Sequence, residues 1–162
     1  TLNARGEDVL NKPTYKDAAV HRRCLVLSSG FYEWRHFTPP AGKDTAYPYY
    51  ICLKDQEYFF MAGIFNPWMD QSTGEVVNSF SILTTAANTM MEKIHNKKRM
   101  PVILPEEQAN NWIQPDLSVN EITSLAKFQI SDDEMIAHTI RKDFRQLQEP
   151  REEFMYDELP TL

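Results

Sequence analysis

Apolar residues along the chain come in short bursts, each the length of a strand or of two helical turns. Polar and proline-containing stretches separate them. Cys24-Leu25-Val26-Leu27 is an apolar run of strand type, and Phe31-Tyr32-Glu33-Trp34 continues with alternation after Ser28-Ser29-Gly30. Tyr49 to Leu53 and Tyr58 to Ile64 read as two strands joined by a turn around Asp55-Gln56-Glu57. Ser79 to Thr85, Met100 to Leu104 and Ile136 to Ile140 complete the strands. Helices are expected over Tyr15 to Arg23 with Thr14 as N-cap, over Ala86 to Ile94, from Pro105 through Trp112, and over Ser118 to Lys127. Loops are expected over 38–42 and from Asn66-Pro67 through Gly74. Strands and helices do not alternate regularly, which predicts an α+β fold: a curled, mostly antiparallel, barrel-like sheet flanked by short helices.

With 162 residues, the chain suits one compact domain. Residues 1–142 are expected to form it and 143–162 to form an acidic, solvated C-terminal tail. Hydrophobic residues make up 42% and charged residues 25%, a globular composition that excludes wholesale disorder. No apolar run approaches the ~20 residues a bilayer-crossing helix needs, so no membrane partner is expected. Cys24 and Cys52 are too few for a disulfide framework and fit a reducing compartment, cytoplasmic in a bacterium (the favoured source) or nuclear in a eukaryote. The net charge of −6 opposes nucleic-acid binding on its face. Its distribution softens this, because the acidic tail holds much of it while His21-Arg22-Arg23 and Lys93 through Arg99 form dense basic clusters. A local basic groove is compatible with the sequence.

No phosphate-binding glycine loop, zinc-ligand spacing or nucleophile elbow occurs, so neither a metal nor another cofactor is expected. Four polar-rich segments carry the remaining chemistry: Asn3 to Glu7, Gly30 to Trp34, Thr84 to Asn88, and Ile94 to Val102. Glu33 between aromatics suits a general acid or base, or a strand-edge ion pair. His95 suits a proton shuttle, or a surface histidine at a helix end. Arg5 and Arg99 suit phosphates or plain solvation, and Trp34 suits base stacking or a core position. Asn3 suits a substrate oxygen or a turn cap.

Taken together and in this order, Asn-Ala-Arg-x-Glu, Arg-Cys-Leu followed by Gly-Phe-Tyr-Glu-Trp, Thr-Thr-x-Ala-Asn, and Ile-His leading into Arg-Met-Pro-Val-Ile-Leu closely resemble the SRAP family, the SOS response-associated peptidases or abasic-site processing proteins. The resemblance covers about Leu2 to Ile140. It implies a sensor of abasic sites in single-stranded DNA. In this family the cysteine exposed by autoproteolytic loss of the initiator Met links to the ring-opened sugar as a thiazolidine. It implies catalytic roles for Glu33, His95 and Asn3, and DNA contacts by Arg5, Trp34, Thr84 and Arg99. A monomer with abasic single-stranded DNA as its partner is expected.

Three departures from the family pattern stand out. The chain opens at Thr1 without Met and reads as a fragment lacking the reactive cysteine. Asn96, Lys97 and Lys98 lie between the histidine and Arg99, where one residue is usual. Gly6 stands where Ser or Ala is usual. A non-catalytic single-stranded DNA-binding module is the alternative reading. A peptidase acting on other proteins has no Ser-His-Asp or Cys-His pattern behind it.

Overall fold

The computed structural model describes residues 2–40 and 42–162. Thr1 and Ala41, the latter within the loop expected over 38–42, lie outside the described residues. In chain order the elements are β1 (Asn3–Arg5), α1 (Pro13–His21), β2 (Arg23–Ser28), β3 (Phe31–Phe37), β4 (Thr45–Leu53), β5 (Phe59–Met69), β6 (Val76–Ala86), α2 (Thr89–Ile94), β7 (Arg99–Pro101), β8 (Ile103–Leu104), α3 (Glu106–Trp112), α4 (Val119–Ala126) and β9 (Met135–Thr139). This is the expected α+β class, with short helices and curled, mostly antiparallel pairing. The chain divides into two compact units, Thr1–Ser28 with Phe59–Ala86 and Pro101–Ile130, and Ser29–Tyr58 with Ala87–Met100 and Ser131–Leu162.

The first unit is built on strands in the order β1-β6-β5-β2, with β8 also on β5. Strand β1 runs parallel to β6, Asn3 opposite Ile82 and Arg5 opposite Thr84. Alternation therefore turns Ala4 and Leu83 into the core, 2% and 0% exposed, and leaves Asn3 and Arg5 on the other face. Helix α4 owes its start to a capping box: the Ser118 hydroxyl accepts from the Glu121 N–H at 3.3 Å, and Glu121 accepts from the Ser118 N–H at 2.8 Å. It buries Ile122 and Ala126. A Cβ on Gly6 would fall 1.7 Å from the Ala126 carbonyl oxygen. Glycine is thus the residue this packing admits, which accounts for the departure at position 6. Gly6→Ala is expected to destabilise by about 3 kcal/mol, as main-chain overpacking does. Thermal melting should register a drop of roughly 6–12 °C; an unchanged melting temperature would mean the Ala126 backbone yields freely.

The second unit is an antiparallel sheet in the order β3-β4-β9 with α2 packed on β3. Its core joins Tyr50, Ile140 and Phe144, with Tyr32 and Cys52 against them.

Several elements differ from expectation for identifiable reasons. Pro13 is itself the first helical residue of α1, with Lys12 before it, because its fixed φ suits that position; Thr14 is inside the helix rather than its cap. Strand β5 continues through Pro67 to Met69 where a loop was expected. Beyond Ile64 it has left β2, so Pro67 needs no N–H on that side and simply faces Asn78 of β6. The loop shrinks to a turn in which Asp70 accepts from the N–H of Ser72 at 2.7 Å. Strands β4 and β5 follow one another but belong to different sheets. The helix expected from Ala86 begins only at Thr89, because the Asn88 side chain caps it by accepting from the Met91 N–H at 3.0 Å.

The acidic segment expected to be solvated is instead fastened to the second unit. Phe144 stacks on Tyr32 with ring centres 4.7 Å apart, Ile140 bridges to Glu153, the Tyr156 hydroxyl donates to the Ile140 carbonyl at 2.9 Å, and Tyr47 donates to Glu158 at 2.9 Å. The acidic side chains face water while the aromatics between them anchor the segment.

Candidate active site

Glu33 and His95 meet within the second unit. Glu33 sits in the middle of β3 directly opposite Tyr49 of β4, which is 4% exposed. His95 caps the C-terminal end of α2, whose Met91 and Ile94 are buried. Packing of α2 on β3 brings the His95 Nε2 to 3.7 Å from Glu33 Oε1, with the two side chains 21% and 26% exposed. This separation is longer than a hydrogen bond, and the contact is ionic only when the imidazole carries a second proton.

The extra residues after His95 do not carry the histidine away. They form a tight turn in which the Lys98 N–H donates to the His95 carbonyl at 2.8 Å, with Lys98 at φ 50. The Lys98 carbonyl accepts from the Ala87 N–H at 3.0 Å, so the segment from Ala87 to Lys98 closes on itself. Within the turn the Lys97 N–H donates to His95 Nδ1 at 3.1 Å.

Burial pushes the Glu33 carboxyl above the ordinary glutamate range; the charge of His95 and the Trp34 N–H pull it partly back. Below that range the carboxyl is protonated both folded and unfolded, and it adds no penalty. As pH rises through the raised folded value, folding must hold a half-buried charge, and stability is lost. Glu33→Gln removes the cost. The melting temperature of the variant relative to the parent is expected to climb as pH rises above the ordinary glutamate range, from roughly pH 4 upward. A difference that stays flat or falls would mean that attraction to His95 outweighs burial.

Trp34 and Arg99 belong to the same unit. Trp34 follows Glu33 on β3, so alternation turns it to the opposite face, where it is 36% exposed. Arg99 starts β7 and is half-buried. Asn3, Arg5 and Thr84 belong to the first unit. There Arg5 and Thr84 are register partners, and the Thr84 hydroxyl donates to the Ala4 carbonyl at 3.5 Å. Each unit thus groups its own subset of the expected residues.

Cys24 and Cys52 are free thiols, half-buried, and burial pushes both upward, with Arg151 partly offsetting this at Cys52. Neither has the exposed, electropositive setting of a nucleophile. Among the described residues no cluster of His, Cys, Asp and Glu could hold a metal ion, and no helix is long and apolar enough to cross a membrane. Sequence reasoning passed over the Lys97 main chain; the length of the insertion was the signal that could have found it.

The chain matches the family model described as SOS response associated peptidase (SRAP) over residues 1–147. It is 36% identical over 114 residues to the abasic site processing protein YoqW of Bacillus subtilis, an alignment spanning 70% of this chain and 48% of that protein. It is 32% identical over 130 residues to the abasic site processing protein HMCES of Gallus gallus, spanning 70% and 38%. A crystal structure of a protein from Bacteroides thetaiotaomicron superposes with a TM-score of 0.84 at 42% identity, covering 94% of this chain and 63% of that one. The chain spans about half the length, or less, of these two curated relatives.

Proposed function

Because this chain belongs to the SOS response associated peptidase family, we propose that it is part of an abasic-site sensor that captures damaged single-stranded DNA covalently. The observation that carries this reading is the pairing of Glu33 with His95 at 3.7 Å, kept in spite of the residues inserted between His95 and Arg99.

A ring-opened abasic sugar presents an aldehyde. The amine of an N-terminal cysteine attacks the aldehyde carbon, loss of one water gives a Schiff base, and the thiol sulfur then adds to that carbon while the nitrogen takes a proton. The product is a thiazolidine ring. Amine deprotonation, water loss and ring closure all move protons. A carboxyl raised above its ordinary range beside an imidazole suits such transfers near neutral pH. The cysteine is that of the intact protein, exposed by removal of its own initiator Met. Asn3 assists the chemistry. Arg5, Thr84 and Arg99 contact the strand, Arg5 and Arg99 by neutralising phosphates, and the exposed ring of Trp34 stacks on a base.

The test is incubation of the intact protein with an abasic oligonucleotide, followed by a denaturing gel. A heat- and detergent-resistant adduct is expected on the abasic strand and not on an undamaged one. Salt-dependent binding without any adduct would leave a non-catalytic single-stranded DNA-binding module, a reading favoured by the exposed Lys93, Lys97 and Lys98. No binding at all would overturn both.

A further inference from the structure

We propose that the Asn96–Lys98 turn is a positioning device: the Lys97 backbone N–H holds the neutral His95 ring with its proton on Nε2, facing Glu33. A main-chain N–H can only donate, so the nitrogen it points at must offer a lone pair. That nitrogen is Nδ1, at 3.1 Å. A neutral imidazole carries one proton, which the contact therefore assigns to Nε2. The other side of the ring agrees independently. Nε2 lies 3.7 Å from Glu33 Oε1, where a proton is attracted to the carboxylate and a lone pair would be repelled by it. Two contacts on opposite edges of the ring select the same tautomer.

The donor is well held. The turn is closed by the Lys98 N–H on the His95 carbonyl at 2.8 Å and tied back by the Lys98 carbonyl on the Ala87 N–H at 3.0 Å. The residues that interrupt the usual spacing of the motif thereby supply the orienting contact. Because the donor is main chain, this contact does not depend on the side chain at position 97.

For the reaction, which rests on the abasic-site reading above, the consequence is a division of labour. Nε2–H donates toward one oxygen of Glu33, orienting the carboxylate and leaving its second oxygen to take the amine proton. Catalytic pairs of this kind shorten when the site is loaded. His95 in this state enters as a donor, and Glu33 is the base.

The test is a long-range 1H–15N spectrum of the histidine rings in the 15N-labelled intact protein without DNA, near roughly pH 8.5, above the ordinary histidine range. His95 is assigned by the resonances that vanish in His95→Gln. Nδ1 is expected unprotonated and Nε2 protonated. Lys97→Ala keeps the N–H and should leave the spectrum unchanged. Lys97→Pro removes it, and the Nδ1–H form should appear, with adduct formation slowed roughly 10-fold, as when a partner orienting a histidine is removed. A proton on Nδ1 in the parent overturns the proposal, as does an unchanged ring spectrum in folded Lys97→Pro. Should Lys97→Pro not fold, the parent spectrum decides alone. Failure of the DNA reading shows separately, as the absence of adduct from a protein whose His95 spectrum is as expected.

Discussion

Replacing Trp112 by alanine is expected to cost about 5 kcal/mol and to bring the chain close to unfolding at 37 °C. Trp112 ends α3 and is 0% exposed. Its indole N–H donates to two carbonyls at once, Cys24 and Gly63, each at 3.1 Å. These residues are register partners on β2 and β5, so the side chain clasps the two strands together as well as filling the core beneath them. Arg23 packs its guanidinium over the ring, 5.7 Å from the centre, and donates to the Trp112 carbonyl at 2.8 Å. Truncating a buried tryptophan costs about 3–5 kcal/mol through lost transfer energy and the cavity. Loss of the two hydrogen bonds from the indole N–H adds about 1 kcal/mol. Against a total stability of about 5–15 kcal/mol, little remains. Urea denaturation checks the value. Trp112→Phe separates the terms, since it keeps most of the volume, loses the N–H, and should cost only about 1–2 kcal/mol. Equal costs for the two variants would mean that the hydrogen bonds, and not the volume, dominate.

The second large effect is on chemistry. Glu33→Gln is nearly isosteric and is expected to slow adduct formation by roughly 10²–10⁴-fold at saturating DNA, the usual contribution of a positioned acid–base group. Affinity for the strand should be unchanged, because an amide in place of a carboxylate leaves the phosphates and their cations undisturbed. Arg5→Ala and Arg99→Ala should do the converse, weakening binding and lowering the salt slope by about 0.7 for each phosphate no longer neutralised. Single-turnover gels give the rate, and fluorescence anisotropy over a salt series gives the binding. A Glu33→Gln protein that reacts at the parental rate would remove the carboxylate from the chemistry. Arginine variants that bind like the parent at every salt concentration would remove the groove assignment.

What the sequence made legible follows from which interactions are local. The expected strands were found because alternation and β-branched or aromatic content are written within a few residues, as in Cys24 to Leu27 and Ser79 to Thr85. The helix start at Ser118 is equally local. The misreadings turn on partners remote in sequence. Whether Pro67 breaks a strand depends on which neighbours still flank it. Whether residues 143–162 are a free tail depends on Tyr32 and Tyr47, far earlier in the chain, and charge alone suggested solvation. The importance of Trp112 could not be read from a tryptophan at a helix end, because its hydrogen-bond partners lie on two distant strands. Glu33 and His95 were singled out through motifs and not through periodicity. Their closeness depends on the seating of α2 on β3, which no local pattern announces.

Each of the two compact units is assembled from three separated stretches of the chain. Neither can therefore be excised as one continuous piece, and no single cut releases either intact. Strand β1 at the beginning must find β6 about eighty residues later, a long loop to close before any reward is collected. During synthesis β1 emerges long before β6 and must wait for it, whereas β3 meets β4 at once. Folding should accordingly begin with a comparatively slow search.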